Sequence, residues 1–242
     1  MELDILAVAA HPDDVELACS GTLAKSVKLG YKVGILDLTE GELGTRGTRT
    51  IRRREASDAA KILGVAVRDN LRLPDGNIEI NQRNRLKIIQ IYRKYRPKLL
   101  LIPHSFERHP DHVHTHQLAR EAWFYSGLTK IETNYNGKKQ KPWRPQNYFQ
   151  FMQKFEFTPS FIVDISDVFK LRMKAVRAHA SQFYNPASSD PETLLSQKSF
   201  LELIETRARY FGFQIGVQYG EPFYSVEPLG VHDLFQLKLF ER

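Results

Sequence analysis

The chain has 242 residues, of which 42% are hydrophobic and 26% charged, the balance of a soluble globular protein with room for one large α/β core. No apolar run approaches the roughly 18 residues of a membrane span, and the start of the chain lacks a signal-peptide pattern, so a cytoplasmic location is expected. A single cysteine excludes an intrachain disulfide; Cys19, between the small residues Ala18 and Ser20, reads as a buried thiol rather than a nucleophile or ligand. The net charge of +7 raises the question of nucleic acid, but Lys and Arg are scattered and there is no basic tail. An anionic small substrate accounts for the excess equally well.

Ile5-Leu6-Ala7-Val8 reads as a short strand buried on both faces. It delivers Ala10-His11-Pro12-Asp13-Asp14-Val15-Glu16, followed by a helix from Gly21 to Lys28. An imidazole and two carboxylates thus sit at the carboxyl end of a strand, where open α/β sheets bind ligands. His11 and one of the two aspartates could hold a divalent ion while the other takes a proton from water, and Pro12 limits the wandering of the segment. A polar turn in which Asp13 or Asp14 caps the next helix would use the same residues.

Residues 32–38 form a second strand, and the strand–helix–strand unit implies a parallel pair. The Gly- and Thr-rich stretch 39–50 is a long loop on the same rim as His11, read for most of its length as a surface connection. A helix follows from Ile51 to Leu63, closed by Gly64. It carries Arg52 and Glu55 one turn apart, spaced to pair or to face a common site. Residues 69–76 read as a short strand and turn. Asn81 to Tyr95 reads as a helix stopped at Arg96-Pro97, and 98–103 as another buried strand.

That strand leads into the second polar segment. Five of the eight histidines fall between His104 and His116, including His109-Pro110-Asp111-His112. Two His–Asp clusters, each at the end of an apolar strand, suit a metal site better than chance packing. A helix is expected over 113–126. His112 and His116 are four apart, so either could be a ligand on spacing alone. Beyond it come an exposed hairpin tip at 134–142, strands at 146–151 and 161–165, and a helix over 168–180 capped by Ser166 or Asp167. A last long helix spans 192–210, and a short apolar tail ends the chain. No repeat or composition shift marks a second domain, so residues 1–242 are expected to form one. The expected fold is a Rossmann-like three-layer sandwich, with a mostly parallel sheet and helices on both faces.

Taken together, Ala10-His11-Pro12-Asp13-Asp14-Val15-Glu16, Arg52-Arg53-Arg54-Glu55, His109-Pro110-Asp111-His112 and His179-Ala180-Ser181-Gln182 resemble the zinc-dependent de-N-acetylases of the PIG-L/LmbE family. The resemblance covers nearly the whole chain. Within the family it is nearest to the subgroup of bacillithiol biosynthesis that deacetylates N-acetylglucosaminyl L-malate, through residues 39–47, Leu73-Pro74-Asp75-Gly76 and Ser181-Gln182-Phe183-Tyr184. The resemblance implies one zinc ion per chain on His11, Asp14 and His112, disfavouring His116. It implies Asp13 as general base, a protonated His109 as acid or oxyanion stabiliser, Asp111 orienting a histidine from behind, and Arg52 and Tyr184 at the substrate. Glu16 is given no role. It also implies a homo-oligomer, with a hexamer as one form.

The expected chemistry is attack of metal-activated water on an acetamide, with release of acetate and an amino sugar. Arg52, Arg108 and Arg46 are candidate partners for malate. Chitooligosaccharides or inositol conjugates are alternative substrates. A nucleotide- or nucleic-acid-binding module is a rival reading, but His11-Pro12-Asp13-Asp14 stands where that module needs a Gly-x-Gly-x-x-Gly turn, and its carboxylates would repel a pyrophosphate.

Overall fold

The computed structural model describes residues 1–237. Its strands and α-helices in chain order are β1 (Ile5–Ala9), α1 (Asp14–Ala18), α2 (Ser20–Lys28), β2 (Val33–Asp37), α3 (Arg49–Leu63), β3 (Val67–Asn70), α4 (Gln82–Tyr95), β4 (Leu99–Pro103), α5 (Pro110–Ser126), β5 (Asn134–Tyr135), β6 (Lys138–Lys139), β7 (Asn147–Phe151), β8 (Phe161–Asp164), α6 (Phe169–Ala178), α7 (Phe200–Gln214) and β9 (Gly220–Tyr224). Seven strands make one sheet in the order β3-β2-β1-β4-β7-β9-β8, and β5 and β6 form the small hairpin expected near residue 136. The first five strands of that order pair in parallel, and β9 alone runs antiparallel to both its neighbours.

The strand period of two divides the core into halves. Leu6, Val8 and Ala10 face Ile88, Ile89 and Tyr92 of α4 and Leu118, Ala119 and Ala122 of α5. Ala7 and Ala9 face the other layer, where α2, α3, α6 and α7 contribute Leu23, Leu63, Val176 and Ile204. Each buried Leu or Ile removed from water contributes about 1.5–3 kcal/mol, so the sandwich holds its central strands from both sides. The expected fold class is the one observed. The chain order reverses between β1 and β4, which places the sheet's topological switch where the two His–Asp segments emerge.

Local departures have local causes. α5 begins at Pro110, three residues earlier than expected, because proline suits a first helical turn that needs no N–H there; Asp111 and His112 are therefore helical. The start of α6 has no side-chain cap. Asp167 instead pairs with Lys25 and Lys28 at 2.9 and 2.7 Å, while Ser166 donates to Asp164 at 2.6 Å. The last helix starts at Phe200 and not 192, since Thr193 and Ser196 bond each other's backbone and side chains in a turn. β9 stands where no strand was expected. Of the expected apolar tail, residues 238–242 lie outside the described residues.

Candidate active site

Neither aspartate of the first motif caps α1 with its side chain. Asp14 turns back instead, its Oδ2 accepting the His11 backbone N–H at 2.9 Å and lying 3.3 Å from His11 Nδ1. Its other oxygen lies 3.0 Å from His112 Nε2, across the switch between β1 and β4. The ligand atoms of His11, Asp14 and His112 fall within 4.8 Å of one another. Burial favours a neutral Asp14, but the two histidines outweigh it and hold its carboxyl well below the usual range.

Three carboxylates surround one imidazole. His11 Nε2 lies 3.1 Å from Asp75 Oδ1 and 3.6 Å from Asp111 Oδ2, while Asp14 takes the Nδ1 side. Burial opposes a charge on His11, yet Asp14, Asp111 and Asp75 overcome it and raise its pKa well above the ordinary value. The pocket favours a cation at this point. Two imidazoles and a carboxylate, with surplus negative charge behind them, fit a divalent ion with a catalytic site's three protein ligands. A second grouping, His11, His109 and Asp111, is also close enough to hold an ion. It fits less well: Asp111 Oδ2 accepts the Gly76 N–H at 2.8 Å, and His109 Nδ1 accepts the Asp111 N–H at 3.2 Å.

That last bond also defines His109. Accepting at Nδ1 requires the lone pair, so the ring's proton sits on Nε2. Burial, then the neighbouring His11 and His112, lower its pKa. His109 thus has Nε2 as its N–H donor. Its ring stacks on His112 with centroids 4.9 Å apart and meets His11 edge-on at 4.7 Å.

Asp13 points to the other side of the motif, where Arg52 NH2 lies 3.0 Å from its Oδ1. Arg52 also donates from NH1 to the Gly41 carbonyl at 3.0 Å. Gly41 has φ +66° and lies so close to Arg52 that a Cβ there would fall 2.0 Å from NH1, so this position needs glycine twice over. Arg52 and Glu55 do not pair; Glu55 accepts from the N–H and hydroxyl of Ser181 at 2.6 and 2.7 Å. The loop after β2 is more than a surface connection, because Leu43, Gly44 and Thr45 line the cleft.

The cleft holds about 990 Å³ and contains His11, Asp13, Asp14, His109, His112 and Arg52. Asp75 and Gln153 belong to it and were not expected from sequence. Gln153 donates to Asp14 Oδ1 at 2.9 Å and lies 3.4 Å from His112 Nε2. Asp75, at 3.1 Å, is nearer His11 than Asp111 is, so the expected orienting role of Asp111 falls more strongly on Asp75. The Leu73-Pro74-Asp75-Gly76 turn after a strand was the available signal; Gln153 carried none.

Other candidates lie elsewhere. Tyr184 is 47% exposed, carries Lys198 over its ring and is not among the residues lining the cleft. His116 is buried with Nδ1 2.9 Å from the Pro103 carbonyl, an anchor of α5 on β4. Glu16 is fully buried and faces Arg68 at 2.6 Å and His179 at 3.4 Å. Arg68 also binds Asp37 at 2.7 Å, making a charged network among α1, β2 and β3. Cys19 lies in the core, its thiol pushed up by burial and by Glu221. Among the described residues no helix is long and apolar enough to cross a membrane.

Comparison with known proteins finds relatives over nearly the whole chain. A family model described as PIG-L, GlcNAc-PI de-N-acetylase, matches residues 6–123, a span that includes both His–Asp segments. The chain is 32% identical over 239 residues to diacetylchitobiose deacetylase of Thermococcus kodakarensis, covering 94% of this chain and 85% of that one. Its structure resembles the conserved protein TT1542 of Thermus thermophilus, at 38% identity and a TM-score of 0.86, covering 96% of this chain and 98% of the other. It also resembles N,N'-diacetylchitobiose deacetylase of Pyrococcus horikoshii in complex with the inhibitor MPG, at 28% identity and a TM-score of 0.77, covering 90% and 82%.

Proposed function

The chain belongs to the PIG-L family of de-N-acetylases, and from that premise we propose that it removes the acetyl group of N-acetylglucosaminyl L-malate with the help of one zinc ion. It is an amide hydrolase acting on an N-acetylglucosamine-type sugar. The observation that carries the reading is the cluster of His11, Asp14 and His112 on the floor of a large cleft, with Asp13 and His109 beside it.

A zinc ion held by His11, Asp14 and His112 would polarise the acetamide carbonyl and acidify a water molecule. Asp13 accepts that water's proton. Arg52 holds one carboxylate oxygen of Asp13 and leaves the other for the transfer. His109 donates its Nε2 proton towards the carbonyl oxygen as that oxygen gains charge. Asp13 then returns the proton to the nitrogen, which departs as an amine and leaves acetate behind. Asp75 behind His11 and Gln153 beside Asp14 keep the ligands oriented.

Malate is favoured by the cationic side chains lining the cleft, Arg108, Lys154 and Arg207. The second reading is a chitooligosaccharide, favoured by the similarity to two diacetylchitobiose deacetylases. Metal content and acetate release, measured before and after chelation on N-acetylglucosaminyl malate, N,N'-diacetylchitobiose and N-acetylglucosamine, test both. Near one zinc per chain, with chelator-sensitive release fastest from the malate conjugate, is the expected result. Equal rates on all three remove the malate assignment, and activity indifferent to chelator removes the metal.

A further inference from the structure

The cleft has two unlike ends. One is the His–Asp floor. The other is bounded by α7 and the loops after β4 and β7, and it has no role in the chemistry above. Three cations line it, Arg108, Lys154 and Arg207, against one carboxylate, Glu156. Backbone bonds knit them into one corner. Glu107 accepts the backbone N–H of Arg108 at 2.6 Å and that of Lys154 at 2.6 Å. Arg207 donates from NH1 to the carbonyl of Gln153, the residue whose side chain touches Asp14.

Arg207 is the unusual member. It donates to two backbone carbonyls, those of Gln153 and Leu17, the latter at 2.9 Å from NH2. Among the described residues no carboxylate lies within ion-pair distance of it. Burial and the neighbouring Arg172 lower its pKa, but only to about 10, so it is a cation at neutral pH. Glu107, Glu156 and Glu221 act on it only from beyond ion-pair distance, so a half-buried guanidinium on a cleft wall, with donors left over, is matched by an anion brought from outside. Two of the three arginines expected to meet malate are otherwise engaged. Arg52 is bound to Asp13 and Gly41, and Arg46 is buried with Nε on the Ser181 carbonyl at 3.2 Å. Arg108 and Lys154 are exposed and can close over the same ligand.

We propose that Arg207, flanked by Arg108 and Lys154, is a carboxylate-binding subsite that selects a substrate with an anionic aglycone. Its natural ligand rests on the malate reading, but the subsite can be tested apart from it. L-malate alone is the probe, as an inhibitor of acetate release from whichever N-acetyl sugar the zinc-loaded enzyme turns over, with neutral dimethyl malate as control. L-malate inhibits competitively and dimethyl malate does not. Arg207→Gln raises the malate inhibition constant at least tenfold. Arg207→Lys, which keeps the charge but loses the planar fork, falls between. Circular dichroism and zinc content report whether each variant is folded and loaded; if Arg207→Gln does not fold, Arg207→Lys alone decides by a threefold or larger rise. An inhibition constant unchanged in the folded variants overturns the subsite. If malate inhibits through Arg207 but the enzyme does not prefer the malate conjugate, the subsite stands and the substrate reading falls. If the enzyme prefers the conjugate and the Arg207 variants keep that preference, the substrate reading stands and the subsite falls.

Discussion

Replacing Asp75 by Asn tests how the candidate metal centre is held. Asp75 accepts on both oxygens, from His11 Nε2 at 3.1 Å on one and from the Leu43 backbone N–H at 2.8 Å on the other. A carboxylate can do this; an amide has one acceptor oxygen, so Asp75→Asn must give up one bond. If His11 loses its partner, its ring is no longer fixed with Nδ1 towards Asp14. Loss of such an outer partner costs about 10–100-fold in metal affinity, or about 1.4–2.7 kcal/mol. Asp111 lies 3.6 Å from the same nitrogen and is engaged with Gly76, so Asp111→Asn should change affinity by less than about threefold. Competition against a chromophoric zinc chelator at pH 7.5 measures both variants. Zinc affinity of Asp75→Asn within about twofold of the parent, or a larger loss in Asp111→Asn, would refute the reasoning.

Asp13→Asn should retain zinc and lose about 10²–10⁴-fold in kcat, as expected when a positioned base is removed; turnover at the parental rate would reassign the base. Arg68→Ala should destabilise the protein by about 3–5 kcal/mol in urea unfolding, because it leaves Glu16 and Asp37 buried without their shared cation. The same network sets an acid limit. Burial would raise Glu16, but Arg68 and His179 outweigh it and lower its pKa from 4.5 to about 2. A depressed carboxylate stabilises the native state above its unfolded pKa and loses that contribution as pH falls towards its folded value. Urea midpoints should therefore drop between about pH 4.5 and 2, and Glu16→Gln should show a shallower drop there.

The parallel half of the sheet was legible because its strands are continuous apolar runs, Ile5 to Val8 and Leu99 to Ile102 among them, buried on both faces. The two His–Asp segments were legible because each follows such a strand directly, and strand ends on one rim of a parallel sheet must converge. β9 was not legible: Gly220, Glu221 and Pro222 are poor strand formers, and pairing with β8 makes them one. Glu221 is tolerated there because Arg172 meets it at 2.8 Å and the α2 residues Gly21 and Thr22 donate to it. Local pattern likewise said nothing of Gln153, which reaches Asp14 from 139 positions along the chain, or of Arg207 behind it. The sheet's core and the two His–Asp segments that converge on the cleft were legible from short-range pattern, apolar runs and the polar strand ends that follow them. The choice of Asp75 over Asp111 behind His11, and which arginines remain available in the cleft, depend on tertiary contacts alone. Each of those depends on a partner supplied by another element or turn, at a distance that no local spacing encodes.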